Sequence, residues 1–339
     1  MTISIGDVAQ AAGVSTATVS RALRGLPHVT DQTRDLVRRV AAELGYVPSR
    51  SAAALASGRT RSVALVAPAI SRWFFAQAFE GAEQTLRRAG FDALLYFIPD
   101  VGRPRPAFDA DVVRGRVDAV IVASMAFSPA EAERLRELGL PAVFISVRQP
   151  GFPFVGIDDE AAAATATGHL IELGHRVIGH IGGQPDDVGP YSPTWRRRQG
   201  WRRALHRAGL AAGPDLDGAG DFSAESGGRA ALALLDRRPD LSALFVASDE
   251  MALGAIQALQ SRGLVVGRDV SVIGLDGHDL SYLMGLTTLA QPAHAQGAWA
   301  AQFLLDALAD APHSAETERI FATELIRRHS TGPGPRPTD

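Results

Sequence analysis

The sequence predicts an α/β protein in two parts: a small three-helix head and a long body whose parallel sheets form two lobes. Three observations carry this expectation. Two short amphipathic helices flank a tight turn near the N-terminus, apolar strands alternate with amphipathic helices from Ser62 onward, and basic charge gathers in the first part of the chain.

In the head, Val8, Ala9 and Ala12 fall at helical spacing on the first helix, and Val19 and Leu23 on the second. Gly13 supplies the turn, Val14 plugs it, and Ser15 is placed to cap the second helix. Ala9 is small enough for the helices to cross closely, as a helix-turn-helix requires. The exposed face of the second helix then carries Thr16, Ala17, Ser20 and Arg21. Short side chains with one guanidinium suit base edges in the major groove and the phosphates beside them. A helical hairpin that merely packs would share part of this pattern. Thr30 can cap a third helix running to about Leu44, with Asp31 and Asp35 near its positive end. Leu36, Val37, Val40 and Leu44 form its expected inward stripe, and Gly45 ends it.

Residues 48–58 follow as an Ala-rich stretch between Pro48 and Gly58. Its centre favours helix, but about eight residues fall short of the ~12–15 at which an isolated helix becomes marginal. The linker is therefore expected to be helical only when something supports it. Beyond it, strands are expected at 62–67, 93–97, 119–122, 142–145, 155–157, 177–181, 243–246 and 270–274. Helices are expected between them, at 76–89, 130–138, 161–173, 197–208, 227–235 and 251–262. Repeated β-α units imply parallel sheets covered on both faces. So long a run exceeds what one sheet normally organises, so two lobes with a cleft are expected, and ligands in such folds bind beyond the carboxyl ends of the strands. The expected boundaries are a head at 1–47, a hinge at 48–60, a two-lobed ligand-binding and dimerisation body at 61–331, and a disordered Pro- and Gly-rich tail at 332–339.

Composition narrows the function. With 339 residues, 46% of them apolar, the chain can bury a sizeable core. No apolar run approaches the ~18–20 residues of a membrane span, and no basic segment followed by an apolar stretch marks a secretory signal, so a cytoplasmic protein without a membrane partner is expected. With no cysteine, disulfides and thiolate metal sites are excluded. Residues 1–60 hold seven Arg against four acidic residues, whereas the remainder holds 27 Arg against 33 acidic residues. A basic head on an acidic body suits a protein that holds DNA with one end. The chain has neither Lys nor Asn, which marks a bias of the whole sequence. His169, His175 and His180 lie at spacings that place no pair on one helical face, so no metal site is expected. Glycine-rich phosphate loops, a nucleophile elbow and a zinc-protease motif are all missing, so neither an enzyme nor a cofactor is expected.

Longer words in the chain make the reading specific. In order they are Asp7-Val8-Ala9, Ala12-Gly13-Val14-Ser15, Thr18-Val19-Ser20-Arg21, Leu44-Gly45-Tyr46-Val47-Pro48, and Ile70-Ser71 before Phe74-Phe75. Then come Glu172-Leu173-Gly174-His175-Arg176, Ile181-Gly182-Gly183, Gly200-Trp201, Asp249-Glu250-Met251-Ala252-Leu253-Gly254, Asp269-Val270-Ser271-Val272-Ile273-Gly274 and Leu286-Thr287-Thr288. With these words the chain resembles the LacI/GalR family of bacterial transcriptional regulators over nearly its whole length.

The resemblance implies a ligand-responsive repressor, a homodimer whose two heads read the half-sites of a palindromic DNA operator. Thr16 and Ala17 match the family's variable base-reading pair, Arg21 a contact beside them, and Thr18 and Ser20 phosphate-facing places. Ser15, Arg24, Tyr46, Ser49 and Arg50 complete the expected DNA-contacting set, and Leu55 matches a hinge leucine that wedges the minor groove. Arg24, Asp159 and Ser248 each stand where Asn is usual, which in a chain without Asn reads as compositional drift more readily than as a changed role. Gly6 lacks a larger side chain that some relatives aim at DNA. The C-terminus carries no leucine heptad of the tetramerising kind, which favours a dimer.

By the same resemblance the body is periplasmic-binding-protein-like, with a cleft lined by Ser71, Trp73, Phe74, Arg148, Arg197, Phe222, Asp249 and Asp276. Arg and Asp can grip neighbouring hydroxyls and aromatic faces can cover a pyranose, so a sugar effector is expected, although a purine would use similar groups. Phe222 could instead be core, Arg197 between Arg196 and Arg198 could be part of a solvated run, and Asp249 is placed to cap a helix. Arg72-Trp73 replaces a commoner Asn-Pro. A free sugar-binding protein would share the body but bring a signal peptide and no basic head. Effector binding would change the angle between the lobes and melt or form the hinge helices, in either direction.

Overall fold

A computed structural model describes residues 3–47, 59–98, 106–184, 189–309 and 316–335, and divides into a head and a body. In the head, α1 (Ile5–Ala12) starts at a reciprocal cap. Ser4 Oγ accepts from the Asp7 N–H, while the Asp7 carboxylate accepts from the Ser4 N–H at 2.7 Å. Gly13 turns the chain at a φ of 66°, a value that costs glycine little. Ser15 caps α2 (Thr16–Leu23) and Thr30 caps α3 (Asp31–Glu43), both as expected. Val8, Ala9, Ala12, Val19, Ala22, Val37 and Ala41 form the head's core. The expected stripe of α3 needs one correction: Leu36 and Leu44 are 37% and 36% exposed, and Ala41 takes the inward place. Ala41 lies four residues from Val37 on the same helical face, whereas Leu36 is turned about 100° away.

The body contains two six-stranded sheets. The first uses β1 (Ser62–Ala67), β2 (Asp92–Phe97), β3 (Ala119–Ala123), β4 (Ala142–Ile145), β5 (Phe154–Ile157) and β11 (Glu318–Phe321), in the order β11-β5-β4-β3-β1-β2. The second uses β6 (Ile178–Gly182), β7 (Asp217–Ala219), β8 (Ala243–Val246), β9 (Ser271–Asp276), β10 (Thr287–Ala290) and β12 (Glu324–Ile326), in the order β12-β10-β9-β8-β6-β7. All pairings are parallel except β10 with β12, so the expectation of purely parallel sheets fails at that one edge. The chain passes from the first sheet to the second after β5, returns after β10, and passes again between β11 and β12. These crossings leave the carboxyl ends of β5 and β10 beside the place where the two lobes meet.

Helices cover the sheets: α4 (Trp73–Arg88), α5 (Pro129–Glu137) and α11 (Ala293–Leu308) in the first lobe. In the second lobe they are α6 (Asp159–Glu172), α7 (Pro193–Arg207), α8 (Ala224–Arg237), α9 (Asp249–Ser261) and the short α10 (Leu280–Leu283). No helix among the described residues is long and apolar enough to cross a membrane.

At residues 332–335 the expectation of a disordered tail fails. The Gly332 N–H donates to Ser271 Oγ at 3.0 Å and the Gly334 N–H to the Leu173 carbonyl at 2.7 Å, so backbone hydrogen bonds hold this segment against the second lobe. Residues 336–339 lie outside the described residues.

Candidate functional site

On α2, Thr16, Ala17 and Arg21 are exposed together, with Ser20 partly so, which is the face expected to meet DNA. Ser15 Oγ accepts from the Thr18 N–H at 3.1 Å and shares a 2.9 Å hydrogen bond with Thr18 Oγ1, so both hydroxyls also serve the cap. Arg24 is exposed just past the end of α2, and Tyr46 is partly buried against the head's core. Ser49, Arg50 and Leu55 lie outside the described residues, as does most of the expected hinge.

In the body the structure brings the expected cleft residues to the carboxyl ends of strands. Backbone strain gathers there too. Of six non-glycine residues at positive φ among those described, Ser124, Ser146, Phe222 and Asp276 follow or end β3, β4, β7 and β9. Such conformations cost about 1–3 kcal/mol each and concentrate where a site needs them.

Arg197, on α7, is buried. Its Nε donates to Asp159 Oδ1 at 2.8 Å and its Nη1 to the Ala247 carbonyl at 2.5 Å. The solvated-run alternative therefore fails for Arg197, and Arg198 beside it is buried too. Arg196 pairs with Asp158 and Glu160, Arg203 with Glu160, and Arg198 and Arg202 with Asp217. Burial pushes the Asp159 carboxyl upward in pKa, against the pull of the Arg197 guanidinium.

Asp276 ends β9 almost fully buried. Its Oδ1 accepts from Gln291 Nε2 at 2.8 Å, and Gln291 Oε1 accepts in turn from Gln296 Nε2 at 2.9 Å. Burial, opposed by Arg197 and reinforced by the neighbouring Asp249 charge, pushes the Asp276 carboxyl up to about 7. This group therefore favours the native state below pH 3.8 and loses that contribution as pH rises through about 7. An Asp276→Asn variant should gain stability relative to the parent by about 1–3 kcal/mol on going from pH 5 to pH 8. Thermal melts of both proteins at the two pH values check this, and a constant difference would mean that Asp276 stays ionised throughout.

Asp249 corrects an expectation. Ser248 is the residue that caps α9, while the Asp249 carboxylate is consumed inside the lobe. Oδ2 accepts from the Gly277 and His278 N–H groups and from Ser281 Oγ, and Oδ1 accepts from Thr288 Oγ1 at 2.6 Å. With four donors on a fully buried carboxylate, Asp249 ties the loop after β9 to α9 and offers no oxygen to a ligand.

The aromatics divide. Phe74 packs on the first lobe's core, edge-on to Phe75 at 5.8 Å, and Phe222 is partly buried against the second lobe's core. Trp73 faces the opposite lobe, stacked on His278 at 5.5 Å. Ser71 is exposed. Arg148 lies 4.1 Å above the Phe154 ring and pairs with Glu318 at 2.5 Å. A cavity of about 90 Å³ opens beside it, walled by Ser146, Arg148, Asp158, Asp159, Tyr191 and Arg196. Asp158 caps α6, and the fold brings Asp158, Asp159 and Glu160 against the arginines of α7. Tyr191 and Gln291 carried no signal in the sequence.

The three histidines serve the second lobe. His169 contacts Thr331, His175 contacts Ser242, Ser271 and Gly332, and His180 holds Asp217 while stacking on Trp201 at 5.3 Å. No group of metal-ligating side chains comes together among the described residues.

Against known proteins, residues 4–49 match the model of bacterial regulatory proteins, lacI family, and residues 167–331 match a periplasmic binding protein-like domain. The HTH-type transcriptional repressor CytR of Escherichia coli (strain K12) is 34% identical over 331 residues, covering 96% of this chain and 95% of the relative. The HTH-type transcriptional regulator CelR of Thermobifida fusca is 35% identical over 338 residues, covering 95% and 96%. Among solved structures, a lac repressor dimer bound to operator and the anti-inducer ONPF superposes with a TM-score of 0.84 at 26% identity, covering 98% of this chain and 99% of that one. A CelR–cellobiose complex superposes with a TM-score of 0.70 at 32% identity, covering 97% and 99%.

Proposed function

This chain belongs to the lacI family of bacterial regulatory proteins, DNA-binding transcriptional regulators that are not enzymes, and we propose that it is a homodimeric repressor switched by a sugar in the cleft of its body. The observation that carries the effector reading is a buried guanidinium at Arg197, held against the carbonyl just past β8, together with a buried carboxyl at Asp276, the last residue of β9. Such groups hold neighbouring hydroxyls in fixed directions, and the face of Trp73 turned away from His278 would cover a pyranose. The cellobiose complex of CelR supports a sugar as the class.

Two apolar surfaces support a second copy of the chain as the partner. Tyr282 and Leu283, in α10, are 76% and 74% exposed, and Leu95 and Phe97 lie exposed on one face of the edge strand β2. Side chains of this size left in water at an edge and a turn are the usual mark of an interface. The lac repressor dimer on its operator supports the same assembly. In the dimer the paired hinges, residues 48–60, form helices on DNA and place Leu55 in the minor groove. A helix this short persists only while its partner and the DNA support it, so a change of angle between the lobes is enough to lose it. Coupling of ~1–3 kcal/mol would change operator affinity about 5- to 150-fold.

The experiment is selection of bound duplexes from a random DNA pool by the full-length protein. Enrichment of a palindrome with half-site centres about one helical turn apart is expected. Enrichment of a single half-site would overturn the dimer, and the recovered operator then serves to screen sugars against purines. In the same selection Ala17→Gln is expected to change the preferred base at one position of each half-site, because a side-chain amide reads adenine where a methyl group cannot. An unchanged motif would remove Ala17 from the base-reading face.

A further inference from the structure

Helix α4 begins without a cap of its own. Its N-cap residue, Arg72, makes no side-chain capping bond, which leaves the first N–H groups of a sixteen-residue helix without a local acceptor. The acceptor comes from the other lobe: the Trp73 N–H donates to Glu250 Oε1 at 3.3 Å. Glu250 itself lies in the first turn of α9, so one carboxylate faces the positive ends of two helices that belong to different lobes. The Trp73 side chain makes the same crossing. Its indole N–H donates to Asp279 Oδ2 at 3.3 Å, and its ring stacks on His278 with planes 29° apart. Arg72 adds a weak contact, Nη2 to the Asp221 carbonyl at 3.5 Å.

We propose that Arg72-Trp73, held by Glu250, His278 and Asp279, is a latch built into the chain that keeps the two lobes closed over the cleft. Its parts are anchored from behind. The His278 N–H donates to the buried Asp249 carboxylate, and Nδ1 of His278 accepts from the Leu280 N–H at 3.0 Å, so the ring presents a fixed face to the indole. Opening the lobes would strip the Trp73 N–H of its acceptor and expose a ring face at once, so the contacts are lost together. The two residues that replace the commoner Asn-Pro are thus the ones that reach across. The regulatory consequence rests on the reading of the cleft as the effector site. A ligand that fits beneath the indole strengthens closure, and one that displaces the indole breaks it, so the latch sets the angle from which any effector works.

The test uses the full-length chain, whose lack of cysteine allows spin labels at chosen places only. Glu133→Cys labels an exposed position on the first lobe and Arg229→Cys one on the second. Diluted into an excess of unlabelled chain, so that a dimer carries labels on one copy only, the protein gives the distance between the lobes by double electron–electron resonance. The doubly labelled parent should show one dominant short distance, and Trp73→Ala should add a longer one. Glu250→Gln, which keeps the side chain's shape and removes its charge, should do the same to a smaller degree. The closed-to-open ratio is expected to fall about fivefold or more with Trp73→Ala. A parent already dominated by the longer distance, or distributions unchanged in both variants, would overturn the latch. Failure of the repressor reading would appear separately, as failure of the parent protein to enrich an operator.

Discussion

An Asp159→Ala variant is expected to lose about 3–5 kcal/mol of stability, because removing one partner of a buried ion pair leaves the other charge uncompensated. The stranded charge is Arg197, whose Nε–Asp159 Oδ1 contact of 2.8 Å lies between two side chains almost wholly out of water. Its remaining tether, Nη1 to the Ala247 carbonyl, is a neutral acceptor that orients the guanidinium without balancing it. Asp159→Asn should lose less, about 1–2 kcal/mol, since the amide oxygen still accepts from Nε while the charge attraction is gone. Urea unfolding of the two variants at pH 7 measures both values. Equal losses would show that the charge, not the hydrogen bond, is what matters at position 159. Losses under 1 kcal/mol in both would show that water reaches Arg197 and that the pair is effectively on the surface. The same pair fixes the direction of the guanidinium at the strand ends, so a looser Arg197 should also blunt the response to an effector.

Gly254→Ala is expected to be as severe, at about 3 kcal/mol or more, for a reason unrelated to charge. A Cβ at Gly254 would stand 1.7 Å from the Ala224 carbonyl oxygen on α8, and one at Gly227 would stand 2.1 Å from the Met251 carbonyl oxygen on α9. The two backbones are thus in direct contact, and neither helix can yield without leaving its sheet. The first lobe repeats the arrangement: a Cβ at Gly297 would meet the Ala78 carbonyl oxygen at 1.7 Å, and one at Gly81 the His294 carbonyl oxygen at 2.0 Å. Gly168 is the contrast, a glycine of α6 with open space where a Cβ would go. Gly168→Ala should therefore stabilise the chain by roughly 0.5–1 kcal/mol through helix propensity. Thermal melts of the two variants side by side give opposite signs if this account is right. A mild effect at Gly254 would mean that α8 and α9 can separate cheaply.

Much of the head was readable from local signals. Caps at Ser15 and Thr30 and the turn at Gly13 are decided within a few residues, and the structure places all three where the pattern puts them. Most strands of the body, the edge strand β2 among them, were readable because their residues are nearly all apolar. The strands β7, β10, β11 and β12 were not: β7 is three residues long with two of them Asp217 and Gly218, β10 opens on two threonines, and β11 is largely exposed. Such segments become strands only because a neighbouring strand offers its backbone. The error at Leu36 is of the same kind, since periodicity fixes which residues share a face but not where the next helix sits against it.

The site divides along the same line. The resemblance to a family implies that Arg197 and Asp276 line one cleft; in the structure Asp276 ends β9, and Arg197, on α7, reaches the carbonyl just past β8. Whether each side chain is free or spent is a question about partners far away in the chain. Asp249 was a reasonable ligand residue until Gly277, His278, Ser281 and Thr288 were seen to occupy its oxygens. Asp159 looked like drift from a missing Asn until Arg197 was found against it. The sequence by itself determined the α/β class, the helix-turn-helix head and the family, because these rest on local caps, periodicity and short words. Only the tertiary structure decided which charges are paired, which glycines join helices and how Trp73 reaches the opposite lobe, because each depends on groups brought together by long-range folding.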